Sequence, residues 1–232
     1  MSDNTPAASA ADDDFDLDPV EIRVLATMIE KSYVTPDNYP MSVNAVMTGC
    51  NQLTGREPVM SLDESDVRDA IARLIERKLV AQRDSASARV PKYEHLIRLR
   101  HSLPPAEQAV LATLMLRGPQ TAGEIRQRCE RMHAFADIPA VEAVLDHLSE
   151  KYPPMVEALP RAPGTKETRF AHLLEGRAAF ESLAEAVAQG APASGGSGGR
   201  GRVAELEDEV RRLREELEAL RGEFAEFRSQ FD

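Results

Sequence analysis

LDPVEIRVLATMIEKS, Leu17–Ser32, returns eighty-six positions later as LPPAEQAVLATLMLRG, Leu103–Gly118, with VLAT identical at Val24–Thr27 and Val110–Thr113. Two further stretches repeat in the same order. VRDAIARLIERKLV from Val67 matches VEAVLDHLSEKYPPMV from Val141, and KYEHLI from Lys92 matches RFAHLL from Arg169. Three ordered matches mark an internal duplication, so both copies should share one fold.

Each copy reads as helix, helix, helix, strand, turn, strand. Asp18 stands at a capping position, Pro19 takes the first helical position, Glu21 sits at N3, and Leu17 can staple onto Ile22. An amphipathic helix is therefore expected from there to about Ser32. Leu62, Asp63 and Val67 supply a staple and cap for a helix reaching Lys78. In the second copy Thr121 and Glu124 form a capping box for a helix through about Phe135, and Pro139 lies in the first turn of the next. After each third helix a strand (LVAQR; MVEALP) passes through a polar turn into a second strand (KYEHLI; RFAHLL). Three helices and a two-stranded wing predict two tandem winged helix-turn-helix domains, residues 17–100 and 101–175, in a mainly α fold with small β wings, an α+β class.

The flanks read differently. Residues 1–16 are polar, small and acidic, with too little apolar surface to offset the cost of ordering them, and are expected to be disordered. Residues 176–189 predict one more short helix; GAPASGGSGGRG, residues 190–201, reads as a flexible Gly/Ser-rich linker. In residues 202–232, Val203, Leu206, Val210, Leu213, Leu217, Leu220, Phe224 and Phe227 alternate spacings of three and four. They make the a and d positions of a coiled coil. Glu209, Glu216 and Glu223 fall at g, and Arg214, Arg221 and Arg228 at e, so each g meets an opposite charge across a parallel, in-register pair. A parallel homodimer is expected.

With 42% apolar residues, the 232-residue chain can bury a real core. Cys50 and Cys129 lie far apart and outside any CxxC pair, which indicates neither a disulfide scaffold nor a zinc module. No apolar run approaches the roughly 20 residues that span a bilayer, and the acidic start does not read as a signal peptide. The expectation is a cytoplasmic protein without membrane contact. Its net charge of −11 is unevenly placed: residues 1–16 carry five acids and no base, whereas residues 17–100 carry twelve of each. The near-neutral body means that overall acidity decides nothing about nucleic acid.

Catalysis finds little support. The five histidines show no metal-ligand spacing with a third partner; Cys129 and His133, an i,i+4 pair, are two ligands alone. No phosphate loop, nucleophile elbow or isolated carboxylate pair occurs. No catalytic residue, metal or cofactor is expected.

A winged helix normally sends its third helix into the major groove, with Arg, Lys, Asn or Gln exposed. Here the third helices begin with Asp63, Glu64, Asp66 and Asp69 in one copy and carry Asp137, Glu142 and Asp146 in the other, which would repel phosphates. The wings are basic, with Arg83, Arg89, Lys92, Arg98 and Arg100 in the first and Arg161, Lys166 and Arg169 in the second. Such wings fit backbone contacts to double-stranded DNA, and equally a strand edge protected by charge. NAVMTGCNQLTGREPV, Asn44–Val59, adds a second candidate surface. Asn44, Thr48 and Asn51 share a helix face, and an expanded loop follows with Gln52 and Arg56 where a tight turn would be usual. These groups suit a base edge, a phosphate or a peptide backbone; the same groups also suit capping the helix and pinning the loop.

YPMSVNAVMTGCNQLTGREPVMSLDESDV, with KYEHLI and RGPQTAGEIRQRCERMHAFADIPAVE, resembles the YceH family of uncharacterised bacterial proteins over roughly residues 17–175. The resemblance implies a bacterial tandem winged-helix protein and carries no activity. The leading expectation is a non-enzymatic dimeric regulator touching nucleic acid through its wings and the loop after helix two. The alternative is a scaffold whose acidic third helices and amide loop hold a protein partner.

Overall fold

The computed structural model describes residues 15–83, 90–161 and 167–189. It is mainly helical, with two small antiparallel sheets. The first copy contributes α1 (Pro19–Val34), α2 (Val43–Cys50), α3 (Glu64–Glu76), β1 (Val80–Arg83), β2 (Lys92–His95) and a short α4 (Ile97–His101). The second contributes α5 (Pro105–Arg117), α6 (Ala122–Cys129), α7 (Ile138–Glu150), β3 (Val156–Ala158) and β4 (Phe170–His172), and α8 (Arg177–Ala188) follows.

Helix starts follow the local chemistry. Asp18 accepts from the Val20 and Glu21 amides at 2.8 Å each, and Glu21 returns the bond to the Asp18 amide at 2.9 Å. The same reciprocal box opens α6 between Thr121 and Glu124. Three expected boundaries shift. The helix expected to reach Phe135 ends at Cys129, where one carbonyl takes both the Met132 and His133 amides and Arg126 bonds the Phe135 and Ala136 carbonyls, drawing the chain back. Strand β2 stops at His95: the Leu96 amide turns to the Leu79 carbonyl and the chain coils into α4, burying Ile97. Phe15 and Asp16, assigned from sequence to the disordered tail, are ordered. The Phe15 ring stacks on His101 at 5.4 Å, and Arg77 donates to the Asp16 carbonyl at 3.1 Å.

The larger departure concerns α1. It is amphipathic by pattern, yet every residue from Glu21 to Ile29 is buried, and in α5 every residue from Glu107 to Leu116. The two first helices pack on each other, so each has one face covered by its own copy and another by its twin. One continuous apolar core results, with Leu25 and Met28 from one copy and Leu111 and Leu114 from the other. Helices covered all round are what a two-sided interior requires.

The polar residues carried into this interior are handled the same way twice. Glu21 faces Arg73 of α3 and Arg77 at its C-cap at 3.5 and 3.7 Å; its twin Glu107 faces His147 of α7 and Lys151 at its C-cap at 2.5 and 3.1 Å. Thr27 lies 3.5 Å from Cys50 Sγ, and Thr113 lies 3.0 Å from Cys129 Sγ. Burial pushes both thiols up, Cys129 to about 11, which suits packing groups and not nucleophiles. Gly49 is fixed by the same packing, because a β-carbon there would come within 2.6 Å of Thr27 Cγ2.

Each hairpin gains one more rung. β1 pairs with β2 in the register Val80↔His95 to Arg83↔Lys92, and β3 with β4 in the register Val156↔His172 to Ala158↔Phe170. Met41 then bridges Tyr93, and Gln120 bridges Phe170, just before the N-caps of α2 and α6. This rung ties each second helix to its hairpin.

Candidate binding cleft beside the second helix

The loop joining α2 to α3, residues 51–62, is held from inside. Asn51 clasps Leu62 from both sides, donating to its carbonyl at 2.8 Å and accepting from its amide at 2.9 Å. Arg56 is 5% exposed. Its guanidinium donates to the Gly49 and Gly55 carbonyls at 3.0 Å each, to Gln52 Oε1 at 3.0 Å, and to both Glu30 oxygens at 3.2 and 2.6 Å. Arg23, buried in α1, donates to the Cys50 and Pro58 carbonyls at 3.2 and 2.6 Å. Two buried guanidiniums thus serve carbonyls that a turning chain leaves without helical or strand partners. The Glu57 amide crosses to the Leu116 carbonyl of α5 at 2.8 Å, so the loop also closes the seam between the copies. Asn51 and Arg56 are occupied by the protein itself.

Outside this clasp lies an open cleft of about 390 Å³. Lys31 and Thr35 supply the wall from the end of α1, Asn38 comes from the turn that follows, Ser42 and Thr48 from α2, Gln52 from the loop, and Lys92 from β2. The Met41–Tyr93 rung brings the last of these against α2. Lys31 donates to Gln52 Oε1 at 3.3 Å and pairs with Glu30 at 2.9 Å. Burial favours the neutral form of Glu30, but hydrogen bonds and charge from Arg56 and Lys31 outweigh it and hold the carboxyl below its ordinary range. Lys92 is exposed, and its side chain makes no ion pair or hydrogen bond among the described residues.

The cleft therefore gathers three of the residues singled out from sequence, Thr48, Gln52 and Lys92, and adds Lys31, Thr35, Asn38 and Ser42, which were not. Asn44 is exposed on α2 outside the lining, where its carbonyl accepts from Thr48 Oγ1 at 2.9 Å. Arg169 belongs to the other hairpin, held by Glu124 at 2.8 Å and the Pro119 carbonyl at 2.9 Å. Arg89, Lys166 and the heptad residues Val203 to Phe227 lie outside the described residues.

A family model described as "Protein of unknown function, DUF480" matches residues 17–165, which takes in both copies of the repeat. The chain belongs to this family. UPF0502 proteins resemble the DUF480 chain nearly end to end: one from Aromatoleum aromaticum is 69% identical over 216 residues, covering 92% of each chain. One from Azoarcus sp. is 64% identical over 230 residues, 99% of this chain and 100% of the relative, and one from Geobacter sulfurreducens 49% identical over 220 residues, 93% and 98%. The likeness thus reaches well past residue 175, into the C-terminal segment.

Elsewhere on the DUF480 protein the charges divide. Helix α3 exposes Glu64, Asp66, Asp69 and Glu76 together with Arg68 and Arg73, which pair with Glu64 and Asp18, and α7 exposes Glu142, Asp146 and Glu150. Arg83 on β1, Lys92 on β2 and Arg98 just beyond it are all exposed, and of the three Arg83 is tied to a carboxylate, Glu94. Among the described residues no three His, Cys, Asp or Glu side chains gather as metal ligands, and no helix is long and apolar enough to cross a membrane.

Proposed function

We propose that this DUF480 protein is a cytoplasmic, non-enzymatic tandem winged-helix protein of the YceH type that binds double-stranded DNA through its phosphate backbone, led by the first hairpin. The observation that carries this reading is the partition of unpaired exposed charge: the bases Arg68 and Arg73 of α3 are tied to Glu64 and Asp18 while acids remain on α3 and α7, and Lys92 on β2 stands unpaired beside a cleft whose lining has no carboxylate. A third helix of that charge entering a groove would repel phosphates. Backbone contacts from a hairpin give affinity without reading bases. The heptads of residues 202–232 add a parallel homodimer, which doubles the contacts per complex.

Fluorescence anisotropy of a labelled random-sequence duplex tests this. Affinity should fall by orders of magnitude between about 50 and 200 mM salt, and replacing Lys92 and Arg98 by Gln should flatten that slope. A chain that fails to bind duplex at the lower salt would end the proposal. A second reading is favoured by two side chains: Leu53, 81% exposed at the tip of the clasped loop, and Tyr152, 88% exposed after α7. With the acidic helices they would form the scaffold of a protein-binding module, which takes over should duplex binding fail.

A further inference from the structure

The cleft beside α2 has no carboxylate in its lining, and five of its side chains, Lys31, Asn38, Ser42, Gln52 and Lys92, carry hydrogen-bond donors. Gln52 decides its polarity. Its Oε1 already accepts from Arg56 Nη2 at 3.0 Å and Lys31 Nζ at 3.3 Å, which fixes the amide orientation and leaves both N–H groups without a protein partner. Asn38 and Lys92 make no side-chain bonds among the described residues. Ser42 Oγ accepts from the Ala45 amide at 3.3 Å, so its own proton remains available. Lys31 and Lys92 are the only charged residues of the lining, and Lys92 is unpaired; Glu30, which pairs with Lys31 and with the buried Arg56, and Asp37, next to Asn38, both stand outside it. Unspent donors and net positive charge in a concave site call for an anion with several acceptor oxygens. About 390 Å³ holds more than a bare ion and suits a phosphate with an attached sugar.

We propose that this cleft is a phosphate-ester site, in which Lys92 and Lys31 supply charge and Gln52, Asn38 and Ser42 supply hydrogen bonds to the phosphoryl oxygens. It deepens the DNA-binding reading and rests on it only for the source of the phosphate, which is a duplex backbone or a free sugar phosphate.

Gln52→Glu is the discriminating variant: it keeps an acceptor for Arg56 and Lys31 and turns the two free donors into a second anionic acceptor. Calorimetric titration of the full chain with ribose 5-phosphate, and separately with a short random-sequence duplex, should show binding that Gln52→Glu weakens by about tenfold or more. The melting temperature should be unchanged or higher. Lys92→Gln, an exposed position without a partner, should weaken it as well and guards against a folding defect in the first variant. Duplex binding lost in both variants supports the backbone as source, with or without ribose 5-phosphate binding. Ribose 5-phosphate bound and lost in the variants, with no duplex binding, supports the site and assigns it a free phosphorylated compound, at the expense of the DNA reading. Gln52→Glu binding both probes as wild type does overturns the cleft proposal, and the DNA reading then stands if Lys92→Gln weakens duplex binding; no binding of either probe overturns both.

Discussion

Arg56 shows how far the chemistry of a residue depends on which side of a loop it faces. In the sequence it stands among Asn, Gln and Gly in an expanded turn, which fits a ligand contact and an internal clasp equally. Its five hydrogen bonds all go to the protein. Removing one partner of a buried ion pair strands the other, so Arg56→Met should cost about 3 kcal/mol in denaturant unfolding. Arg56→Lys should recover little, because an ammonium cannot span the Gly49 carbonyl and both Glu30 oxygens. A loss under about 1 kcal/mol for Met would mean the clasp is dispensable. The twin histidines His95 and His172 make a second residue-scale case. Each has an Nδ1 without a partner, and burial lowers each from 6.5 to about 4. The unfolded chain takes up protons first as pH falls, so this stability is intact above about 6.5 and drains away down to about 4. At pH 5 each should cost about 2 kcal/mol. Unfolding midpoints at pH 7 and pH 5 should separate accordingly, and His95→Gln with His172→Gln should narrow the gap; an unaltered gap would place the acid sensitivity elsewhere.

At the scale of elements, local chemistry was legible wherever partners lie within a few residues. Asp18 with Glu21 and Thr121 with Glu124 announce α1 and α6, and the matched strand segments locate both hairpins. What stayed hidden needed distant partners. Glu21, Arg23, Glu107 and Gln108 interrupt the apolar pattern of α1 and α5, yet all four are buried. Their partners lie in their own copy: Arg73 and Arg77 face Glu21, the Cys50 and Pro58 carbonyls take Arg23, His147 and Lys151 face Glu107, and Gln108 donates to the Leu103 carbonyl. The cleft was half legible for the same reason. Thr48 and Gln52 share one short stretch, but Lys31, Asn38 and Lys92 come from three other segments and meet only through the Met41–Tyr93 rung, for which the residues around Met41 carry no pattern. Arg169 looked like a free cation because Glu124, its counter-charge, is forty-five residues earlier.

For the whole molecule, the proposed homodimer is the open lever on affinity. Deleting residues 202–232 should halve the mass measured by light scattering and weaken duplex binding by more than the loss of any one contact. A truncated chain of unchanged association state would remove the heptads from the account.

The packing of α1 against α5 has a consequence for the history of the chain. Two copies that arose as repeats now cover one another's first helix, and the loop between α2 and α3 is stitched to α5 through Glu57 and Leu116. Either half alone would face water with an apolar helix flank that its ancestor must have kept polar or covered by a second subunit. Each substitution that suited the joint interior made separation harder, so the duplication acted as a ratchet: what began as two interchangeable modules can no longer be taken apart or shuffled singly.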